Sequence, residues 1–238
     1  MKHLPRKSDA EVLAIYESLL IMHPELSCTK QALYGAYLIL CDTYMNGNKL
    51  LICGNGGSAA DAGHIVGELM KGFNKKRVIP EADQIAIKMQ CDLYNMLEKA
   101  KEPVEFIQSS NTTYDPAGLL QGALPAIDLT QHQALSTAFA NDISPIFVFA
   151  QQVYGYGEPG DTLLAISTSG NAENCRFAAM TAKAKNMRVI SLTGPDGGQL
   201  ALIADCSIKT PGETTARVQE YHLPVYHTLC AMLEEKFY

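Results

Sequence analysis

The sequence predicts an α/β chain: a three-layer αβα sandwich with a central parallel sheet. Three observations carry that expectation. Leu50 to Phe73 (LLICGNGGSAADAGHIVGELMKGF) reads as a short buried strand, a glycine-rich turn and a helix. The pattern returns at Thr162 to Asn186, where a buried strand meets Ser167-Thr168-Ser169-Gly170-Asn171 and a helix opens at Ala172. Apolar runs alternate with helical stretches from there to the end of the chain, as crossovers between parallel strands require.

In the first of these units, Leu50 to Cys53 is too short for a helix and ends at Gly54. Asn55, Gly56 and Gly57 form the turn, where glycine lets the backbone bend sharply and bring its N–H groups near an anion. Ser58 is expected to add a hydroxyl and cap the following helix. A helix N-terminus carries unpaired donors and about half a positive charge, so a phosphate suits it.

From Ala10 to Met22 apolar residues recur at helical spacing, and His23-Pro24 ends that helix. A second helix, from about Thr29 to Tyr44, is apolar on most faces, more than one sheet surface needs. The N-terminal helical segment 9–46 is therefore expected to serve oligomerisation.

After Phe73 the pattern loosens through NKKRVIP, a helix is expected from about Glu81 to Lys101, and Pro103 stops it. Gln108 to Ala123 is rich in turn formers and is expected to be a surface loop. Pro125 to Thr130 reads as a strand, Gln131 to Ala140 as a helix, and Ser144 to Tyr154 as another. Met187 to Thr193 and Asp205 to Lys209 complete the expected strands, and a last helix runs from about Arg217 to Lys236.

Two small-residue loops at neighbouring strand ends would hold one phosphorylated ligand. Ser167, Thr168 and Ser169 supply hydroxyls, and Gly170 permits close backbone approach. A dinucleotide site fits less well, because the region after the first helix has no strand ending in an acidic residue.

The whole chain, 1–238, reads as one domain. A 47% hydrophobic content supports a sizeable core, and the net charge of −6 argues against a general nucleic-acid or anionic-membrane binder. Seven cysteines without a CxxC pair suit reduced thiols in a cytoplasmic protein, and no apolar run approaches membrane-spanning length.

His64 and Glu68 lie four residues apart on one face of the first-loop helix, with Asp61 nearby. The last helix carries Gln219 and His227, with Glu220 and His222 beside them. Two imidazoles, a carboxylate and an amide oxygen suit a divalent metal, but a surface His–Glu pair and a hydrogen-bonded core histidine would have the same spacing.

GNGGSAADAGHIVGEL, ISTSGNAEN, VISLTGPDGG and RVQEYHLPVYH, in this order and spacing, resemble the sugar-isomerase (SIS) fold and, more narrowly, the phosphoheptose isomerases. The resemblance covers most of the chain outside an insertion at about 74–122. It implies an aldose–ketose isomerase acting through an enediol on sedoheptulose 7-phosphate or a related sugar phosphate. It also implies substrate binding by Asn55, Gly56, Gly57, Ser58, Ser167, Thr168, Ser169, Asn171 and Gln219, with Asp142 near the sugar. A divalent metal, zinc in the first instance, would be held by His64, Glu68, Gln219 and His227; Glu68 would be the base and His227 the acid. The family implies a homotetramer, with a dimer the alternative. Departures from its pattern are Ala216 in place of an Asp, Lys71-Gly72 in place of Gly-Arg, and Ala172 in place of a Ser. They keep open an amino-sugar or ether-cleaving enzyme, while a non-catalytic phosphosugar sensor or protein-interaction module of the DnaA initiator-associating type would need the loops but neither acid nor base.

Overall fold

The computed structural model describes residues 9–100 and 116–238. Among them five parallel strands form one sheet in the order β2-β1-β3-β4-β5: β1 (Leu50–Gly54), β2 (Ala126–Asp128), β3 (Thr162–Ser167), β4 (Arg188–Thr193) and β5 (Cys206–Lys209). Because β1 and β3 are adjacent while β2 lies on the far side of β1, the chain reverses its direction of winding between them. A crevice opens at that point, at the carboxyl ends of the strands, where ligands of open α/β sheets bind.

The sheet is covered on both faces, as the uninterrupted burial of β1 and β3 requires. Leu50, Ile52, Leu164 and Ile166 point to one side and pack with α1 (Asp9–Met22), α2 (Lys30–Met45), α3 (Gly57–Leu69) and α10 (Thr215–Phe237). Their alternates, Leu51, Cys53, Leu163 and Ala165, meet α7 (Val148–Tyr156), α8 (Glu173–Ala184) and α9 (Leu200–Ile203) on the other. The period of two along each strand thus divides the core into two apolar layers.

The helix expected from Glu81 is α4 (Glu81–Ala100); the stop at Pro103 and the turn-rich stretch up to residue 115 lie outside the described residues. Beyond them α5 (Pro116–Leu119) is a single helical turn within the expected loop, and α6 (Gln133–Asp142) follows β2. Two prolines open 3₁₀ turns: Pro24–Thr29 fills the gap between α1 and α2, and Pro145–Phe147 delays α7, expected from Ser144, to Val148.

Ser58 does not cap α3. Gly56, at φ +56°, turns the chain early, so Gly57 is already helical and Ser58 is buried inside the first turn. The N-cap is Gly56, which has no side chain to give.

Around the base of the 74–122 stretch, Arg77 is buried. Its Nε donates to Glu234 Oε1 at 2.8 Å, and its two terminal nitrogens donate to the carbonyls of Leu69 (2.6 Å) and Glu68 (2.8 Å). Glu234 also accepts from the amides of Phe73 and Asn74. The segment after α3 is thereby locked to the end of α3 and to α10.

Candidate active site

Both small-residue loops sit at the crevice. The first, Asn55 to Gly57, leads into α3; the second, Thr168 to Ala172, leads into α8. Neither helix has a side-chain cap, since the N-caps are Gly56 and Ala172, so the hydroxyls of Ser167, Thr168 and Ser169 are not spent on α8. The second loop is held from behind: Asn171 Nδ2 donates to the Ser169 carbonyl (3.0 Å), and the Gln199 amide donates to Asn171 Oδ1 (3.1 Å). Gly170, at φ +66°, lies so close to Gly197 that a β-carbon would sit 2.1 Å from its carbonyl oxygen. The two loops are joined by Asn55 and Asn174, whose amides exchange hydrogen bonds of 2.9 and 2.8 Å.

Beyond the first loop, α3 and α10 bring His64, Glu68 and His227 together. His64 and Glu68 share a face of α3, with Nε2 3.2 Å from Glu68 Oε1. From α10, His227 Nδ1 approaches the same oxygen at 2.5 Å. One nitrogen or oxygen from each of the three lies within 4.8 Å of the others. Phe73 stacks on the His227 ring and closes one side of the cluster.

Glu68 is buried, and neither carboxylate oxygen has a well-aligned donor. Burial pushes its carboxyl up to about 7, against the weaker pull of the Cys230 thiol and Lys71, with Glu234 adding to the rise. His227 is lowered, first by burial and then by the neighbouring His64. A buried carboxylate facing two imidazole nitrogens brings three potential ligand atoms together at one point. That arrangement fits a divalent cation with nitrogen and oxygen ligands, zinc among them.

Gln219 lies over Gly57: a β-carbon at Gly57 would be 2.3 Å from Gln219 Nε2. The glycine is thus needed for the approach of α10, while Gly56 makes the turn. Asp142 ends α6, is exposed, and accepts from Asn141 at 2.9 Å; its described contacts do not join it to the cluster. Of the polar neighbours on α10, Glu220 pairs with Arg217 in solvent and His222 is buried toward β4.

Two contributors carried little signal in the sequence. Asn174 stands inside ISTSGNAEN but looks like any helix-start residue. Tyr226 reads as a core aromatic, yet its hydroxyl is 3.0 Å from His64 Nδ1. Asp61 lies near the same face, where burial raises its carboxyl and the neighbouring Tyr226 hydroxyl works against that rise.

The SIS domain family model matches residues 116–194. The phosphoheptose isomerase of Nitratiruptor sp. is 34% identical over 205 residues, covering 86% of each chain. Among solved structures, a phosphoheptose isomerase from Francisella tularensis superposes with a TM-score of 0.68 at 28% identity, covering 97% of this chain and all of the other. The enzyme from Neisseria gonorrhoeae gives 0.63 at 29% identity, with 94% of each chain covered.

Proposed function

The chain belongs to the phosphoheptose isomerase family of SIS-domain proteins, and from this premise we propose that it interconverts sedoheptulose 7-phosphate and the corresponding aldoheptose 7-phosphate through an enediol. The observation that carries the reading is the buried Glu68 carboxyl set against His64 and His227 where α3 and α10 converge, raised by burial to about 7 in the metal-free protein. A general base is most useful when its pKa lies near the working pH.

In this reading Asn55, Gly56, Gly57 and Ser58 from the first loop and Ser167, Thr168, Ser169 and Asn171 from the second hold the phosphate, which fixes the sugar against α3 and α10. Glu68 takes the proton from C1 of the ketose and, as the acid so formed, returns it to C2. His227 gives an N–H proton to O2 as charge develops there and takes the proton of O1 in the second half. Burial and His64 favour its neutral ring, and a neutral imidazole serves as the electrophile in comparable chemistry. Asp142 is assigned to the sugar hydroxyls.

His64, Glu68, Gln219 and His227 are assigned as holders of a divalent cation, zinc by the donor set, which when bound supplies Lewis-acid polarisation of the carbonyl oxygen. Both imidazoles face Glu68 Oε1, which leaves Oε2 for the proton at carbon. A non-catalytic sensor would need the two loops alone, and would leave the buried Glu68 carboxyl without a task.

A homotetramer is the proposed assembly. Leu13, Ile21, Met22 and Leu38 are exposed on α1 and α2, which supports a helical interface. Among the described residues no helix is long and apolar enough to cross a membrane, and all seven cysteines are free thiols, which supports a cytoplasmic setting.

The test is proton exchange at C1 and C2 of sedoheptulose 7-phosphate in deuterated water, with zinc and with chelator. Exchange that Glu68→Gln abolishes is the expected result. Saturable binding with no exchange in the native protein would overturn the enzyme reading.

A further inference from the structure

The insertion leaves the body of the protein and returns to it at one place. Val78 and Gln121 form an antiparallel bridge, the Gly122 amide donates to the Arg77 carbonyl at 2.9 Å, and the Gly72 amide donates to Gln121 Oε1 at 2.8 Å. From this foot α4 (Glu81–Ala100) starts under control. The Pro80 carbonyl accepts from the Asp83 and Gln84 amides, and Gln84 Nε2 donates to the Ile79 carbonyl at 2.9 Å. The single turn α5 lies against α4.

Anchored in this way, α4 has one side half-buried, with Gln84, Ile87 and Cys91, and presents Ile85, Met89 and Leu93 on the other. These three are spaced by four and form one apolar stripe. Each is between 50% and 64% exposed, whereas a surface helix of a monomer turns such a stripe inward. Val78 at the foot and Leu119 and Leu120 at α5 are exposed as well. Apolar surface gathered in this manner marks an interaction site.

We infer that the stripe of α4 is a subunit interface whose occupant is α4 of a second copy of this chain, packed antiparallel about a two-fold axis level with Gln90. Charge and register select that occupant. By helical position Lys88 and Asp92 flank the stripe on one side, and Ala86 and Gln90 on the other. A two-fold axis perpendicular to both helices lays each flank beside the same flank of the second copy. With the axis at Gln90, Lys88 comes level with Asp92 of the second copy, and Asp92 with its Lys88, which gives two pairs of opposite charge. The uncharged flank meets itself without repulsion. In the same register Leu93 comes level with residue 87 of the second copy, between its Ile85 and Met89, so the apolar side chains interdigitate. A parallel pair would set Lys88 and Asp92 against Ala86 and Gln90, with no charge to answer them. A membrane surface fits less well: the described side chains of α4 include Glu81, Asp83 and Asp92 against Lys88 alone, and membrane-surface helices are rich in basic residues.

The inference rests in one respect on the tetramer given under Proposed function. A closed tetramer of dihedral symmetry needs two different two-fold interfaces. The exposed residues of α1 and α2 supply one, and α4 supplies the second.

Mass in solution, measured by light scattering on a sizing column, separates the two. The native protein is expected to be a tetramer. Met89→Glu, which sets a carboxylate in the seam, is expected to give a dimer of unchanged helical content by circular dichroism. A Met89→Glu variant that stays tetrameric would overturn the α4 interface and leave the tetramer standing. A native dimer that Met89→Glu splits into monomers would keep the interface and overturn the tetramer, whereas a native dimer that it leaves intact, or a native monomer, would overturn both. The charged flank provides a second test that leaves the stripe untouched. Lys88→Asp makes both positions of the flank acidic and Asp92→Lys makes both basic, so each variant repels its own copy across the axis. Each is expected to dissociate several-fold more readily than native protein at low salt. Mixed in equal amounts, the acidic and basic flanks meet and assembly is expected to return, a recovery that no pair within one helix explains. Single variants that assemble like native protein, or a mixture no tighter than either, would overturn the antiparallel pairing.

Discussion

Asn55 and Asn174 exchange two side-chain hydrogen bonds, 2.9 and 2.8 Å long, and so tie the loop after β1 to the helix that follows β3. A ligand held by both loops depends on their spacing, and this amide pair is what spans it. Asn174→Ala is expected to raise KM for a phosphosugar several-fold with a smaller effect on kcat, since phosphate contacts act alike in ground and transition states. Stability should fall by about 1–2 kcal/mol for the lost hydrogen bonds. Steady-state kinetics beside urea unfolding would check both, and an unchanged KM would remove the role.

Gly57→Ala separates folding from function. Gly57 opens α3 and is absent from the positive-φ glycines, so alanine fits the backbone and should leave the melting temperature equal or higher. Its methyl would meet Gln219 Nε2 at 2.3 Å, however, and would push the amide aside. Activity and zinc uptake are expected to drop by roughly 10-fold or more, the range seen when ligand positioning is disturbed. A variant as active as the native protein would show that Gln219 has no part in the site.

The sheet and its two loops were legible because fully buried parallel strands write themselves as apolar runs, and glycine and serine mark the turns between strand and helix. His64, Glu68 and His227 were legible through helical spacing and family resemblance together; spacing alone also fitted a surface pair. What the sequence hid has particular causes. Ser58 looked like a cap because its residue type suits one, but a positive φ at Gly56 starts the helix earlier. Arg77 sits in a stretch with no periodicity, and its burial depends on Glu234, 157 residues away. Tyr226 carries the pattern of a core aromatic, and only the position of its hydroxyl reveals the second use.

Arg77 makes a further prediction possible. The guanidinium serves Glu234 and the carbonyls of Glu68 and Leu69 at once, with no exposed surface. Arg77→Met leaves the buried Glu234 carboxylate without its counter-charge, served only by the Phe73 and Asn74 amides, and takes a donor from the Glu68 carbonyl, and should cost roughly 3–5 kcal/mol in denaturant unfolding. Arg77→Lys should recover only part of that, since an ammonium lacks the planar fork. Because one of those carbonyls belongs to Glu68, activity should fall in both variants under conditions where they remain folded. Full stability in Arg77→Met would refute the anchor.

His222 sets a dependence on pH. Its ring is buried with no well-placed partner for either nitrogen, and burial takes the pKa from 6.5 to about 4, opposed weakly by the Thr193 carbonyl. Above pH 6.5 the ring is neutral in both folded and unfolded chains. Between 6.5 and 4 the unfolded chain binds a proton that the folded chain refuses, so stability falls as pH falls through that window. The difference of about 2.5 between the two values corresponds to about 3 kcal/mol at 1.36 kcal/mol for each pH unit. Glu68 works in the other direction: its carboxyl, raised to about 7, makes stability fall as pH rises from its unfolded value of 4.5 through 7. Unfolding free energies measured in urea from about pH 4 to 8 for the native protein and for His222→Leu isolate the imidazole, because every other group is common to both. The native curve should drop more steeply toward acid than the variant's; parallel curves would mean that His222 is protonated in the folded protein and that burial does not keep it neutral.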